Sequence, residues 1–437
     1  MTRLRIWWDS LLYTLWFVPA LMVVGAAALA VVLIIASGHV DDEVLARWPR
    51  LFGADAGSSR DMLATIAGSI ITVAGVTFSI TMITVTQASA QYTPRILRNF
   101  MRDRPSQVTL GGLAGVFTYC LVVLRTIRGG DESLFVPALA VLTGFILAVV
   151  SVGLLIYFVH HTASSLQASS IIDRVVKDTY GAIDRLFPSE VGDAAAVDAV
   201  PAAAHLLDTY TWLPVTSSSS GYVQAIDPDA LLDAASERNI VIRVERTIGQ
   251  FVIEGGALAS IATRDGTPTD PRPAGIRSAF TVGNFRTVEQ DPDYGIHQLS
   301  DIAVKALSPS INDPTTALSC IDYLAAALSR AAALRSESPW RVRDGELRVI
   351  VHGPTFRSLL DRAFDEIRRY GEGNAAVLHR LLDALERLER RTGDPGRRRH
   401  LLMHVELVTE AAGRALPAPG DRGGVSVRAA ALRSVLT

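Results

Sequence analysis

Uncharged apolar runs are concentrated in the first 161 of the 437 residues, and they constrain the fold more than any other feature. A helix needs about 20 predominantly apolar residues to cross the hydrocarbon core of a bilayer. Because most of the charge follows these runs, the chain divides into a transmembrane domain, residues 1–161, and a water-soluble part. We predict four transmembrane helices, over residues 11–37, 62–89, 108–127 and 135–159.

The second predicted helix is unusual because hydroxyl side chains recur along it at spacings of three and four residues. This periodicity places them on one side of a helix. One interpretation is a hydrated pathway, in which hydroxyls replace part of the water shell of an ion. The other is packing, in which each hydroxyl bonds to its own helix or to a neighbouring one. The candidate pore-lining residues are Thr65, Ser69, Thr72, Ser79 and Thr86.

A basic segment separates the second and third predicted helices. It pairs apolar residues with Arg95, Arg98, Arg102 and Arg104, so we expect it to lie on the inner surface of the membrane. The arginines of this segment are equally explained by the excess of basic residues that flanks membrane helices on the cytoplasmic side. That excess places both termini in the cytoplasm and predicts the lipid bilayer as a partner.

The cores of the four apolar runs contain no Asp, Glu, Lys or His. A proton relay through the membrane is therefore excluded, and four helices are few for a transporter built from one chain. Any pore needs several subunits, so we expect a homo-oligomer. The formal net charge of −2 gives no reason to expect a nucleic-acid partner.

Three segments carry a family resemblance: FSITMITVTQASAQYTPRILRNFMRDR at 78–104, GYVQAID at 221–227 and ALSPSINDPTTA at 306–317. With them the chain resembles the bacterial predicted membrane proteins grouped as domain of unknown function family 2254. The resemblance runs from the first helix to about residue 330. It implies a multi-pass protein of the bacterial inner membrane and supplies no catalytic or binding residue.

The water-soluble part is predicted to combine helices and short strands, so the fold class is an α+β membrane protein. We expect the fourth helix to continue as a stalk helix and linker over 162–190, followed by a cytoplasmic domain over 191–437. Within that domain, four short strands predict a small β-barrel at about 221–262. A helical bundle should follow at about 276–415, and a mobile tail rich in Pro and Gly at 416–437.

One helix of the predicted bundle carries the candidate ligand-binding residues. His297 and Asp301 are four residues apart, so they share one helix face. A divalent cation or a phosphate-bearing ligand fits this spacing, whereas a solvated face with an ion pair from Asp301 to Lys305 is the simpler interpretation. The full candidate set is Asp291, Asp293, His297, Asp301 and Lys305. The sequence assigns no metal ligand and no cofactor, since no nucleotide, zinc or nucleophile motif occurs in it.

Two functions follow from these patterns. The first is an oligomeric, channel-like pore regulated by the cytoplasmic domain, with a small ion or small molecule as ligand. The second is a membrane-anchored sensor or scaffold whose cytoplasmic domain binds a ligand or a protein. An enzyme is the third alternative, and it requires all five candidate ligand-binding residues to converge in one cleft.

Overall fold

The computed structural model describes residues 16–38, 56–91, 103–128, 135–165, 167–185, 193–194, 211–263, 274–333 and 339–437. The chain divides into two compact units, Met1–Ser170 and Ile171–Thr437, which we call unit 1 and unit 2. The division lies close to residue 161, where the sequence predicts that the transmembrane domain ends.

The described part of unit 1 contains four long apolar helices. Each has the length and composition needed to cross a membrane, as predicted from the four uncharged runs. They are α1 (Phe17–Ser37), α2 (Ala56–Gln91), α3 (Arg104–Thr126) and α4 (Ala138–Ser165).

Helix α3 contacts the other three helices and buries more of its length than they do. Its Tyr119 hydroxyl donates to the carbonyl oxygen of Ala140 in α4 at 2.8 Å. A Cβ atom on Gly111 of α3 would lie 2.7 Å from Sδ of Met22 and 2.9 Å from Cα of Pro19, both in α1. Glycine at this position therefore permits a close backbone approach between α1 and α3.

The continuous stalk predicted after the fourth membrane helix is interrupted. Helix α4 ends at Ser165, and a separate helix, α5, spans Ala168–Asp184. The hydroxyls of Ser164 and Ser165 donate to the carbonyl oxygens of His160 and His161, four residues earlier.

Unit 2 contains two sheets among its described residues. A six-stranded sheet has the order β1-β8-β9-β4-β6-β2, and a three-stranded sheet has the order β5-β3-β7. The strands are β1 (Asp193–Ala194), β2 (Leu213–Thr216), β3 (Gly221–Ile226), β4 (Ile240–Val244), β5 (Phe251–Val252), β6 (Ala257–Thr263), β7 (Phe280–Gly283), β8 (Trp340–Arg343) and β9 (Glu346–Ile350).

These sheets correct the prediction of a small β-barrel over 221–262. The four predicted strands are present as β3, β4, β5 and β6, but they do not close on one another. Strand β3 pairs with β5 and β7 in one sheet, while β4 pairs with β6 and, in parallel, with β9 in the other. The partner β9 comes about a hundred residues later, so local spacing does not reveal this pairing.

Helices cover the sheets and form a separate layer in unit 2. Two short helices, α6 (Pro228–Glu237) and α7 (Ala274–Ser278), pack with the strands around a core that includes Ile242, Ile261 and Val349. The helical layer consists of α8 (Pro292–Ala306), α9 (Pro314–Ala333), α10 (Phe356–Tyr370), α11 (Ala375–Glu389), α12 (Pro395–Ala415) and α13 (Pro419–Leu436).

Helix α13 replaces the mobile tail predicted for 416–437. Four of its side chains are buried, namely Val425, Ala429, Leu432 and Leu436, and it packs on α11 and α12. Pro419 occupies the first turn, where proline favours a helix, so the Pro and Gly residues begin this element instead of breaking it. The buried residues are three or four positions apart, which is the spacing expected of a helix. The high content of Pro and Gly made this pattern easy to overlook.

Candidate functional site

The five candidate pore-lining residues lie along α2, and each is exposed on the surface of the chain. The hydroxyls of Thr65, Thr72 and Ser79 donate to the carbonyl oxygens four residues earlier, at 2.7, 2.9 and 3.0 Å. Thr86 bonds in the same way to Met82 at 3.0 Å. These bonds are those expected of hydroxyls in a packed or lipid-facing helix, and the pore stays a prediction.

The basic segment has one member within the described residues. Arg95, Arg98 and Arg102 lie outside them, whereas Arg104 is the first residue of α3. The preceding Asp103 caps this helix, because its carboxylate accepts from the backbone N–H of Ser106 at 3.2 Å.

Two of the candidate ligand-binding carboxylates are held in ion pairs. Asp291 caps α8 and is nearly fully buried. The guanidinium of Arg286 donates to both of its carboxylate oxygens, at 2.8 and 2.9 Å, and to Asp293 at 2.9 Å. Arg362 of α10 also contacts Asp293, at 3.3 Å. Burial raises the pKa of Asp291, while the charge of Arg286 opposes that rise.

Two of the three remaining candidates, His297 and Asp301 of α8, meet a residue that the sequence did not single out. Nε2 of His297 lies 3.8 Å from Oδ1 of Asp301, and their side chains are 14% and 17% exposed. Glu366 of α10 completes the group: one ligand atom from each of the three residues lies within 4.8 Å of the other two. We call His297, Asp301 and Glu366 the α8–α10 cluster.

The helices that carry the cluster pack closely. The Ser300 hydroxyl of α8 is buried and donates to the carbonyl oxygen of Ala363 in α10 at 3.4 Å. Helix α10 is fixed at its start by a capping box, in which Thr355 and Ser358 exchange hydrogen bonds. The cluster therefore stands on two helices that are held in register.

The sequence could not reveal Glu366 as a partner of His297. The two residues are far apart along the chain, and α10 by itself reads as an amphipathic helix with a charged face. Glu366 does lie three residues after the buried Ala363 and one before the buried Ile367, which places it at the border of the apolar face. This border position is the one feature of the sequence that could have indicated a role for Glu366. The role itself becomes apparent only when α8 packs on α10.

The five candidates thus differ in their partners. Arg286 pairs with Asp291 and Asp293, whereas His297 and Asp301 lie beside Glu366. Lys305 follows one turn later on α8 and is half-buried. The enzyme alternative stays a prediction.

Residues 13–387 match the family model described as predicted membrane protein, domain of unknown function family 2254. The chain belongs to this family. An uncharacterised protein of Mycobacterium bovis and one of Mycobacterium tuberculosis are each 32% identical to it over 436 residues, which cover 98% of this chain and 82% of theirs. No solved structure matches it. Family membership agrees with the four membrane-competent helices of unit 1.

In this family member, the segments that carried the resemblance have structural roles. The GYVQAID segment forms β3, and its final Asp227 caps α6 by accepting from the N–H of Ala230 at 3.1 Å. The ALSPSINDPTTA segment connects α8 to α9. There Asn312 adopts a φ of 47°, and Asp313 accepts from the N–H of Thr316 at 3.1 Å. Both motifs thus set chain turns and helix starts.

Proposed function

We propose that this protein is a membrane-anchored sensor. Unit 1 holds it in the bilayer, and unit 2 binds a small charged ligand at the α8–α10 cluster. One observation carries the proposal: a histidine and two carboxylates from two helices converge in unit 2 on a partly exposed position. Ionisable groups brought together in this way are typical of binding sites.

The arrangement of unit 1 favours an anchor over a pore. Its helices pack through small residues such as Gly111 and Gly115 of α3, which lie against α1. The hydroxyls of Thr72 and Ser79 in α2 are bonded to their own backbone. The donors of these hydroxyls are thus satisfied without a hydrated pathway, as in a helix that packs or faces lipid.

Reconstitution of the full-length protein into liposomes tests this proposal against the channel-like alternative. Potassium and chloride flux would be measured for the wild type, for Ser79→Leu and Thr72→Val, and for Phe78→Leu as a control at an exposed position on another face of α2. We expect no flux above that of empty liposomes in any sample. Flux that Ser79→Leu changes and Phe78→Leu leaves unchanged would overturn the anchor and establish the pore.

Light scattering of the detergent-solubilised protein gives the subunit number in the same preparation. We propose a homo-oligomer, as expected from the sequence, with an inner-membrane location and cytoplasmic termini. Accessibility of single introduced cysteines to a membrane-impermeant reagent in intact cells tests the location of the termini. Labelling at either terminus would contradict the proposed orientation.

A further inference from the structure

We infer that His297, Asp301 and Glu366 form a binding site for a divalent transition-metal cation. The inference rests on the proposed sensor function, since it names the chemistry of the ligand that unit 2 binds. Three observations carry it: the separation of the ligand atoms, the fixed frame of the two helices, and the kinds of atom that the side chains offer.

The ligand atoms are close to the separation that one bound ion requires. Imidazole nitrogens and carboxylate oxygens lie about 2.0–2.2 Å from zinc, so two ligands of one ion are at most about 4.4 Å apart. In the α8–α10 cluster the atoms are within 4.8 Å of one another, and Nε2 of His297 is 3.8 Å from Asp301. Small rotations of the side chains are enough to close the remaining gap.

The backbone needs no rearrangement for the cation to bind. His297 and Asp301 are one turn apart on α8 and therefore face the same side. Both flank buried residues of α8, including Leu299 and Ile302, which hold this helix in the core. Ligands presented by packed helices keep their positions before the metal arrives, which reduces the entropic cost of binding.

The donor atoms select the class of cation. One imidazole nitrogen with two carboxylate oxygens suits zinc, manganese or ferrous iron, whereas magnesium and calcium prefer sites composed of oxygen. Three protein ligands also leave at least one coordination position for water or for another molecule. Since the side chains of His297 and Asp301 are partly exposed, that position is accessible from solvent.

The charges around the cluster fit a single divalent ion. Two carboxylates compensate the two positive charges of the cation, and a neutral imidazole completes the set. The basic side chains of α10 near Glu366 are Arg362, Arg368 and Arg369. Each contacts a carboxylate outside the cluster, Asp293 for Arg362 and Asp365 for the other two.

Metal titration of the full-length protein in detergent tests the inference. The protein would first be stripped with a chelator, and Zn²⁺, Mn²⁺ and Mg²⁺ would be added separately in a calorimeter. We expect one saturable site per chain for Zn²⁺ and Mn²⁺, and at least tenfold weaker binding of Mg²⁺. The variants His297→Ala and Glu366→Gln should each weaken Mn²⁺ binding at least tenfold.

Matched controls separate this site from adventitious binding at the surface. His352→Ala and Glu406→Gln change exposed residues of the same types elsewhere in unit 2, and we expect both to bind as the wild type does. Circular dichroism and thermal melting confirm that each variant is folded. Pulsed electron paramagnetic resonance of bound Mn²⁺ should show a nitrogen coupling that disappears in His297→Ala.

The outcomes distinguish the inference from the function on which it rests. Unchanged Mn²⁺ affinity in folded Glu366→Gln and His297→Ala, or no saturable binding in the wild type, would overturn the cation site. Ion flux in liposomes together with cation binding at the cluster would keep the site and overturn the anchor. Cation binding without ion flux supports both the cation site and the anchor.

Discussion

Nε2 of His161, near the end of α4, lies 2.8 Å from Oδ1 of Asp103, the residue that caps α3. The second carboxylate oxygen of Asp103 accepts from the hydroxyl of Ser106 at 2.6 Å. The Asp103 side chain thus caps the start of α3 and also contacts the end of α4. The imidazole of His161 therefore has a partner within unit 1.

Loss of this carboxylate should destabilise unit 1. We expect Asp103→Ala to lower the stability of the detergent-solubilised protein by about 1–2 kcal/mol, because it removes both the helix cap and the contact with His161. His161→Ala removes only the contact with Asp103, so it should lower the stability by less than Asp103→Ala does. Thermal unfolding of the two variants beside the wild type measures the difference, and equal melting of Asp103→Ala and the wild type would show that the cap is dispensable.

The close approach of α1 and α3 makes a second prediction. Gly111→Ala places a methyl group against Met22 and Pro19, so the two helices must separate. We expect a loss of about 1–3 kcal/mol, as is typical of overpacking. Gly153→Ala in α4 is the matched control, since nothing lies within 4 Å of its added Cβ. A Gly111→Ala variant that melts at or above the temperature of Gly153→Ala would contradict this packing.

The third prediction concerns the turn before β5. Gly249 has a φ of 83°, and a Cβ there would overlap Oδ2 of Asp291 and lie 2.8 Å from a guanidinium nitrogen of Arg286. Gly249→Ala therefore combines backbone strain with disruption of a buried ion pair. We expect it to destabilise unit 2 by about 3–5 kcal/mol, the range found when a buried pair is broken.

Gly255→Ala is the control that separates these two effects. Gly255 has a φ of 78°, but no atom lies within 4 Å of its added Cβ. Gly255→Ala should therefore lower the free energy of unfolding by about 1–2 kcal/mol, through backbone strain alone. Denaturant unfolding of the full-length protein, followed by circular dichroism, gives both values. Equal losses for the two variants would mean that the Arg286–Asp291 pair adjusts freely.

Features encoded by neighbouring residues were predicted correctly from the sequence. The four membrane-competent helices follow from uncharged runs. Strands β3, β4, β5 and β6 also follow from alternation and glycine turns. In each case the physical cause lies within one helix or strand.

Features that depend on distant pairing could not be predicted in this way. The barrel prediction failed because β9 inserts beside β4, and no local pattern specifies that neighbour. Glu366 was missed because its role arises from the packing of α10 on α8. The tail prediction failed for a different reason: Pro and Gly were read as a sign of mobility, although α13 buries one face.

The fourth prediction is a pH dependence at the end of β4. Glu245 accepts hydrogen bonds from the hydroxyl of Ser260 at 2.6 Å and from Nε of Arg243 at 2.7 Å. Burial acts to raise the pKa of this carboxyl, but the bonds and the charge of Arg243 outweigh it, so the pKa of Glu245 is lowered.

A lowered pKa in the folded state means that the carboxylate stabilises the fold above the pKa of the unfolded chain, near 4.3. That stabilisation is lost as the pH falls through the lower, folded-state pKa. Glu245→Gln removes the charge, so we expect it to cost about 1 kcal/mol at pH 7 and progressively less below pH 4. Denaturant unfolding of both proteins between pH 3 and pH 7 checks this. A stability difference that stays constant over that range would show that the charge of Glu245 contributes nothing.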